Sequence, residues 1–154
     1  MKITLLVISK TDEPYLQQGI DIYTKRLKHY VPFELEVIPA VKASTPEELK
    51  EREAQLILKR IEKSDCVVLL DEHGRQPSSV GFADYLQKRM NQGIRQLTFV
   101  VGGAFGFAPS VYAAAQDKLS LSPMTFNHQM VRLIFAEQLY RAFTILRHEP
   151  YHNE

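Results

Sequence analysis

Three short segments hold the residues whose types and spacing could do chemistry, and each follows directly on an apolar run. The polar residues 71–73 come after the run that ends at Leu70. Gly102 and Gly103 follow a second run, and residues 122–125 follow a third. Glycine lets a ligand approach bare main chain closely, and a polar segment that contains proline favours a turn. Together the three segments predict a slot of cofactor size.

The glycine-rich segment 102–106 does not by itself identify the ligand. It lacks the spacing of the dinucleotide-binding fingerprint and the lysine of a phosphate-binding P-loop. A plain tight turn explains it equally well. His73 and His128 draw attention only because each follows a predicted strand end, since a single histidine is more often a surface residue than a catalyst.

Residues 148–152 carry the letters of the zinc-protease motif His-Glu-x-x-His, but the chemistry argues against a metal. That motif needs its two histidines one turn apart on a helix. Pro150 lies between them and would break such a turn. We therefore expect no metal in this protein.

The elements around the three segments alternate between strand and helix. Short apolar runs rich in β-branched residues predict strands at residues 3–8, 33–41, 66–70, 97–101 and 119–121. Apolar residues at helical spacing, with capping residues before them, predict helices at residues 13–30, 44–63, 78–91, 127–147 and, briefly, near Pro109. This alternation predicts an α/β fold with a largely parallel sheet and helices on both faces. Ligands of such sheets bind beyond the carboxyl ends of the strands, where the three segments lie.

Length and composition describe one ordinary globular domain spanning residues 1–154. The chain is 45% hydrophobic and 24% charged, and its net charge of +1 argues against a strongly basic nucleic-acid coat. A local patch could still bind RNA. Cys66 is the only cysteine, which excludes an internal disulfide. Since the sequence has neither a signal-peptide pattern nor an apolar run long enough to cross a bilayer, we expect a cytoplasmic protein with no membrane partner.

The last predicted helix is apolar around most of its circumference. Between Met130 and Leu146 only a narrow polar stripe remains, formed mainly by Glu137 and Arg141. One sheet covers one side of a helix, so a second apolar surface must cover the other side. In a small domain, a second copy of the chain is the simplest source of this second apolar surface. The pattern therefore predicts a homodimer in which Leu139 or Phe143 faces the partner.

Taken in order, motifs along the whole chain form a specific set. The set comprises Leu69-Leu70-Asp71-Glu72-x-Gly74, Phe99-Val100-Val101-Gly102-Gly103-Ala104-x-Gly106, Leu119-Ser120-Leu121-Ser122-x-Met124-Thr125, Arg132, Glu137-Gln138-x-Tyr140-Arg141-Ala142 and Pro150-Tyr151-His152. Each piece is weak alone. The ordered set resembles the SPOUT-class methyltransferases that modify N3 of a pseudouridine in the large-subunit ribosomal RNA of bacteria.

The resemblance implies a fold, a cofactor and an assembly. The fold would be a SPOUT-type α/β domain with a C-terminal trefoil knot, the methyl donor would be S-adenosyl-L-methionine, and the assembly would be an obligate homodimer with its sites at the interface. The substrate would be ribosomal RNA in the large subunit or the assembled ribosome. Carried over by position, the cofactor-binding residues are Leu70, Gly102, Gly103, Leu121, Ser122, Pro123, Met124, Thr125 and Phe126.

The resemblance also directs attention to acid–base and phosphate-binding groups. His152 and Tyr151 in the tail, and His128 beside the cofactor segment, are candidates to position the acceptor base or to assist loss of its N3 proton. Arg132 and Arg141 could hold phosphate. Arg141 also lies four residues after Glu137, so a plain helix pair explains it equally well.

Two residues depart from the family pattern, and two other functions stay open. Asn127 stands where proline is usual, and it could either loosen the cofactor segment or cap the following helix. Asn153 replaces a basic residue, which removes one phosphate contact. The alternatives are methylation of another RNA position by the same fold, and a noncatalytic RNA-binding dimer. The intact cofactor segments argue against the second.

Overall fold

Five strands form one parallel sheet in the computed structural model, which describes residues 1–153. The strands are β1 (Lys2–Ile8), β2 (Phe33–Ile38), β3 (Cys66–Arg75), β4 (Gln96–Val101) and β5 (Asp117–Leu119). The helices are α1 (Pro14–Leu27), α2 (Pro46–Ile61), α3 (Ser79–Asn91), α4 (Pro109–Ala114) and α5 (Met130–Leu146). The strand order is β2-β1-β4-β3-β5, and each neighbouring pair runs parallel. The predicted α/β fold is confirmed.

Helices cover both faces of the sheet because successive strand residues are apolar on both sides. In β1, Leu5 and Val7 belong to one core, whereas Leu6 and Ile8 belong to the other. The first core lies under α1, α3 and α5, and the second lies under α2 and α4. Within the described part of the chain, no helix is long and apolar enough to cross a membrane. The trefoil knot implied by the resemblance stays a prediction.

β3 continues past its predicted end at Leu70 as far as Arg75. Beyond Leu70 the pairing shifts register, so that Arg75 pairs with Leu119 of β5. Gly74 permits this approach, because a Cβ there would lie 2.7 Å from the backbone nitrogen of Leu119. Residues 71–73 are therefore part of an irregular strand rather than a free loop. β5 begins and ends two residues earlier than predicted, and a loop of residues 120–129 follows it.

Side chains cap the starts of α2, α3 and α5, and Ser78 caps α3 by accepting a hydrogen bond from the backbone N–H of Gly81. Thr45 caps α2 by accepting a hydrogen bond from the backbone N–H of Glu48, whose carboxylate accepts one from the N–H of Ser44. Asn127 caps α5, since its Oδ1 accepts hydrogen bonds from two backbone N–H groups at the start of that helix. Of the two roles weighed for Asn127, the structure favours the helix cap.

α5 is covered within its own chain more completely than its sequence suggests. It packs against both α1 and α3, which lie on the same face of the sheet. Leu139 is fully buried, and Phe143 is nearly so. The prediction that one of these two residues faces a partner chain is therefore wrong. The neighbouring helices supply the second covering surface.

Arg132 lies in the interior, in the first turn of α5, with 0% of its surface exposed. Its guanidinium donates hydrogen bonds to the carbonyl oxygens of Ile8, Ser9 and His128 at 2.7, 2.9 and 3.0 Å, and to Oγ1 of Thr11 at 3.1 Å. Burial lowers the pKa of Arg132 from the ordinary arginine value. The predicted phosphate contact of Arg132 is wrong, because these oxygens already take the donors that a phosphate would need.

Arg132→Met should lower the free energy of unfolding by about 3 kcal/mol, because methionine keeps the bulk but leaves buried carbonyl oxygens without donors. Arg52→Met is the control, since Arg52 forms an exposed pair with Glu48 on α2 and its loss should cost less than about 1 kcal/mol. Equilibrium urea unfolding at equal protein concentrations measures both. Equal losses would show that the Arg132 bonds do not stabilise the fold.

Candidate functional site

A cavity of about 660 Å³ opens beyond the carboxyl ends of β3, β4 and β5. This volume lies within the range of small-molecule and cofactor sites. The predicted cofactor residues that line it are Leu70, Gly102, Gly103, Leu121, Ser122, Met124, Thr125 and Phe126. Pro123 lies in the same loop but not in the cavity wall. The three segments singled out in the sequence therefore do meet at one site.

Side-chain hydrogen bonds shape the loop that follows β5. The Ser120 hydroxyl donates to the carbonyl of Ser122 at 2.8 Å, and the Ser122 hydroxyl accepts from the N–H of Met124 at 2.9 Å. The Thr125 hydroxyl donates to the carboxylate of Glu72 at 3.3 Å. The loop is thus turned on itself and tied to the end of β3.

Asp71 organises another part of the cavity wall. Its carboxylate accepts hydrogen bonds from the N–H of His73 at 2.9 Å and from the hydroxyl of Tyr112 on α4. Burial, together with the bond to Asp71, raises the pKa of Tyr112 to about 12, so the phenol stays protonated and donates. The side chain of His73 is exposed and lies beside Glu72, an arrangement typical of a surface histidine.

The two glycines after β4 bring bare main chain to the cavity. A Cβ at Gly102 would lie 3.2 Å from the ring of Phe107. A Cβ at Gly103 would lie 2.5 Å from the carboxylate of Glu53, on α2. Both neighbours occupy space that any larger residue would need. Glycine at these positions therefore serves the packing behind the loop as well as access for a ligand.

The charges around the cavity suit a cationic ligand better than a phosphorylated one. Asp71 and Glu72 are in the wall, and Lys50 from α2 is the one lysine that residues 1–153 contribute to it. Of the residues that the structure describes, no arginine lines the cavity. Sites for phosphate typically offer several cationic donors or an open helix N-terminus. Leu70, Phe107 and Phe126 add apolar surface.

His128 is the one predicted catalytic residue in the cavity wall. Its main chain is held in place, because its carbonyl accepts a hydrogen bond from Nε of Arg132 at 3.0 Å. Tyr151 and His152 do not line this cavity, and they lie instead against the middle of α5. Within one chain, the structure therefore does not bring the three predicted catalytic residues together.

Polar contacts dock the tail on α5. The Tyr151 hydroxyl donates to Oε1 of Glu137 at 3.0 Å, and two nitrogens of Arg141 donate to the same oxygen at 3.0 and 2.5 Å. Nη1 of Arg141 also lies 3.2 Å from Nδ1 of His152. A guanidinium only donates, so Nδ1 of His152 accepts this bond. Arg141 is therefore paired with Glu137, as one of its two interpretations predicts, and it also orients His152.

The histidines of the zinc-protease letters do not share a helix. α5 ends at Leu146, before both His148 and His152. Among residues 1–153, no three His, Cys, Asp or Glu side chains gather as ligands of a metal ion would. Residues 148–152 therefore match His-Glu-x-x-His in residue types but not in the helical arrangement that this motif requires.

The chain is similar to known proteins over its whole length. The family described as "Predicted SPOUT methyltransferase" matches residues 1–152. The chain belongs to this family. Proteins named "Ribosomal RNA large subunit methyltransferase H" from Flavobacterium johnsoniae, Parabacteroides distasonis and Porphyromonas gingivalis are 54%, 54% and 53% identical to it, and each alignment covers 100% of both proteins.

Solved structures share the SPOUT fold at much lower sequence identity. Methylase family proteins from Neisseria gonorrhoeae and Haemophilus influenzae superpose with TM-scores of 0.55 and 0.58, each at 11% identity. The superpositions cover 98% and 95% of this chain, and 95% and 66% of theirs. At this identity the likeness concerns the fold alone.

Four residues at or beside the SPOUT cavity escaped the sequence analysis: Lys50, Glu53, Phe107 and Tyr112. Lys50 and Glu53 come from α2 and Tyr112 from α4, neither of which carries a binding motif, and Phe107 follows the glycine-rich segment 102–106. One signal was available in the sequence. Glu53 falls at helical spacing with the buried Ile57 and Ile61, so a carboxylate occupies an inward position of α2.

Gly103→Ala should destabilise the protein by about 1–3 kcal/mol, because the new methyl group would collide with the Glu53 carboxylate. In a Glu53→Ala background this loss should largely disappear. Gly102→Ala is the control, since its methyl group would meet Phe107, and Glu53→Ala should not relieve its cost. Urea unfolding of the single and double variants tests this coupling. A Gly103→Ala cost that is the same in both backgrounds would contradict the packing of Glu53 on the loop.

Proposed function

We propose that this chain is an S-adenosylmethionine-dependent methyltransferase that modifies N3 of a pseudouridine in large-subunit ribosomal RNA. The observation that carries the proposal is the cavity where the three strand-end segments meet, in a chain with full-length relatives named for ribosomal RNA methylation. Residues 1–154 would form one SPOUT domain. The enzyme would act in the cytoplasm, where bacterial ribosomes are assembled and used.

The residues of the cavity fit S-adenosylmethionine. Its adenine needs apolar surface and main-chain partners, which Leu70, Phe126 and the two loops supply. Its cationic methionyl end suits a wall that holds Asp71 and Glu72. When bound, this cofactor supplies a methyl group already activated on a sulfonium. The protein then has to align the acceptor nitrogen with that group and exclude competing water.

The chain also offers groups that could manage the proton on N3. His128 stands in the cavity wall, and Tyr151 and His152 form the docked tail. Burial, with hydrogen bonds to Tyr23 and Glu137, raises the pKa of Tyr151, so this phenol is a donor near neutral pH rather than a base. His152 accepts a hydrogen bond from Arg141, which fixes the orientation of the imidazole ring. We therefore assign Tyr151 and His152 to positioning and proton transfer.

A homodimer would complete the site. Tyr151 and His152 lie against α5, away from the cavity of their own chain, so they can serve only the cavity of another copy. Tyr15 and Ile22, at helical spacing on α1, are 60% and 50% exposed. Their apolar surface lies on the helix that packs beside α5, and it supports a contact there.

The direct test is methyl transfer from labelled S-adenosylmethionine to large subunits, whole ribosomes and free ribosomal RNA that lack the modification. We expect transfer to the folded particles, because a chain of net charge +1 must rely on shape as much as on charge. Gly102→Val should lose cofactor binding and transfer together by crowding Phe107, whereas Gly81→Ala on α3 should keep both.

Analysis of the methylated nucleoside separates the alternatives. N3-methylpseudouridine supports the proposal, and another methylated nucleoside would show that the same fold modifies a different position. Cofactor binding without transfer to any particle would support the noncatalytic RNA-binding dimer. A folded wild-type protein that binds no cofactor would contradict the proposal altogether.

Deleting residues 151–154 should leave cofactor binding intact and lower methyl transfer at least ~10²-fold, the low end of the contribution of a positioned acid–base group. Mixing this truncated chain with Gly102→Val should restore activity, because a mixed dimer unites one intact cavity with one intact tail. No restoration, with mixed dimers shown to form, would contradict a site shared between subunits.

A matched pair of surface variants checks that this restoration depends on association. Ile22→Glu in both chains should abolish it and yield a monomer by light scattering, since a charge would be buried in the contact. Val37→Glu changes an exposed apolar residue on β2 and should leave both dimer and restoration unchanged. A dimeric Ile22→Glu protein would place the contact elsewhere.

A further inference from the structure

Glu53 places a carboxyl group at an inward position of α2. The residue has 6% of its surface exposed, and no hydrogen bond or ion pair joins its carboxyl group to any of residues 1–153. Partial loss of water raises the pKa of this carboxyl group, and a carboxylate that loses water without a compensating partner is costly, so the group needs an explanation. An alanine or glutamine would fill the position at lower cost to stability.

The carboxyl group lies directly against the wall of the cofactor cavity. Both its oxygens would be within 2.6 Å of a Cβ placed on Gly103, and Gly103 lines the cavity. Lys50, one helical turn earlier on α2, lines the cavity as well. Two charged residues of this end of α2, Lys50 and Glu53, therefore lie at or beside the site, whereas Glu47 and Arg52 are exposed to solvent.

Among residues 1–153, no fixed charge forms an ion pair with Glu53. The segment 102–108 contains no charged residue, and the only titratable side chain of α4 is Tyr112, which donates to Asp71. Lys50 forms no ion pair with Glu53. Burial is what raises the pKa of the Glu53 carboxyl, with no opposing effect from a neighbouring charge. A cation placed in the cavity would provide the missing compensation.

We propose that Glu53 is a specificity-determining residue that recognises the positive charge of the methyl donor and favours it over the neutral product. The inference rests on the proposed function. The donor and product differ by the transferred methyl group and by the charge on sulfur. A carboxylate behind the Gly103 backbone would therefore attract the sulfonium form and not the thioether.

The charge on sulfur changes during methyl transfer, and this change is the basis of the discrimination between donor and product. The acceptor N3 forms a bond to the methyl carbon, the carbon–sulfur bond breaks, and its electron pair stays on sulfur. The proton of N3 leaves to a base or to solvent. Sulfur thereby loses its positive charge, and with it the attraction to Glu53. The same residue would hold the donor and promote release of the product.

The experiment measures the affinities of S-adenosylmethionine and S-adenosylhomocysteine by calorimetry for wild type and Glu53→Gln. Mildly alkaline pH favours the carboxylate, and glutamine keeps the shape without the charge. We expect Glu53→Gln to weaken binding of the donor about tenfold, which corresponds to about 1.4 kcal/mol. The affinity for S-adenosylhomocysteine should change much less.

Two control variants on α2 make the result specific. Glu47→Gln removes one negative charge from the exposed start of the same helix and should leave both affinities unchanged. Lys50→Met removes the cation of α2 that lines the cavity, and the loss caused by Glu53→Gln should persist in that background. If the loss vanished there, Glu53 would act by pairing with Lys50, and the proposal would be overturned.

The outcomes also separate this inference from the proposed function. Unchanged affinity for both ligands, or equal losses for both, would overturn the recognition of sulfur charge while leaving a cofactor-binding methyltransferase in place. Wild-type protein that binds neither ligand would instead overturn the proposed function. Circular dichroism and urea unfolding of Glu53→Gln show whether the variant is folded, and we expect it to be at least as stable as wild type.

Discussion

The buried guanidinium of Arg132 joins parts of the chain that must meet before a site can exist. It binds the carbonyl groups where β1 ends and the carbonyl of His128 where α5 is about to begin. Carbonyls at the end of a parallel strand have no further strand partner. The buried guanidinium has several N–H donors and can therefore hydrogen-bond more than one of these carbonyls. The direction of α5 and the position of His128 in the cavity wall both follow from this one side chain.

The remaining walls depend on a second constraint, the close approach of β3 and β5 at Gly74. Because β3 continues to Arg75, Asp71 and Glu72 are held by strand backbone and can bind Tyr112 and Thr125. The loop after β5 is therefore fastened at its start by strand pairing and near its end by Asn127 and Arg132. A site made of loops gains rigidity in this way from a buried sheet.

Local patterns predicted the secondary-structure elements and the location of the cavity. They failed for residues whose contacts come from segments distant in the sequence. The apolar runs, the caps and the strand-end glycines are local signals, and they identified the sheet and the three segments that meet at the cavity, whereas the eight predicted residues of its wall came from the resemblance to the family. Arg132 was misjudged because its binding partners come from β1, at the other end of the chain. Leu139 and Phe143 were misjudged because helical periodicity cannot tell whether α1 or a second chain covers them. Glu53 was missed because its significance appears only once α2 lies on Gly103.

The cofactor cavity and the docked tail, to which we assign the two tasks of methyl transfer, do not meet within one copy. Val131 borders the cavity at the start of α5, whereas Arg141 and the docked tail lie about 15 Å further along that helix at the usual rise per residue. No side chain spans such a distance. If the tail takes part in catalysis, the cofactor site can be complete in a single chain while the catalytic site is not. Cofactor binding would then tolerate dissociation, and methyl transfer would require a second copy.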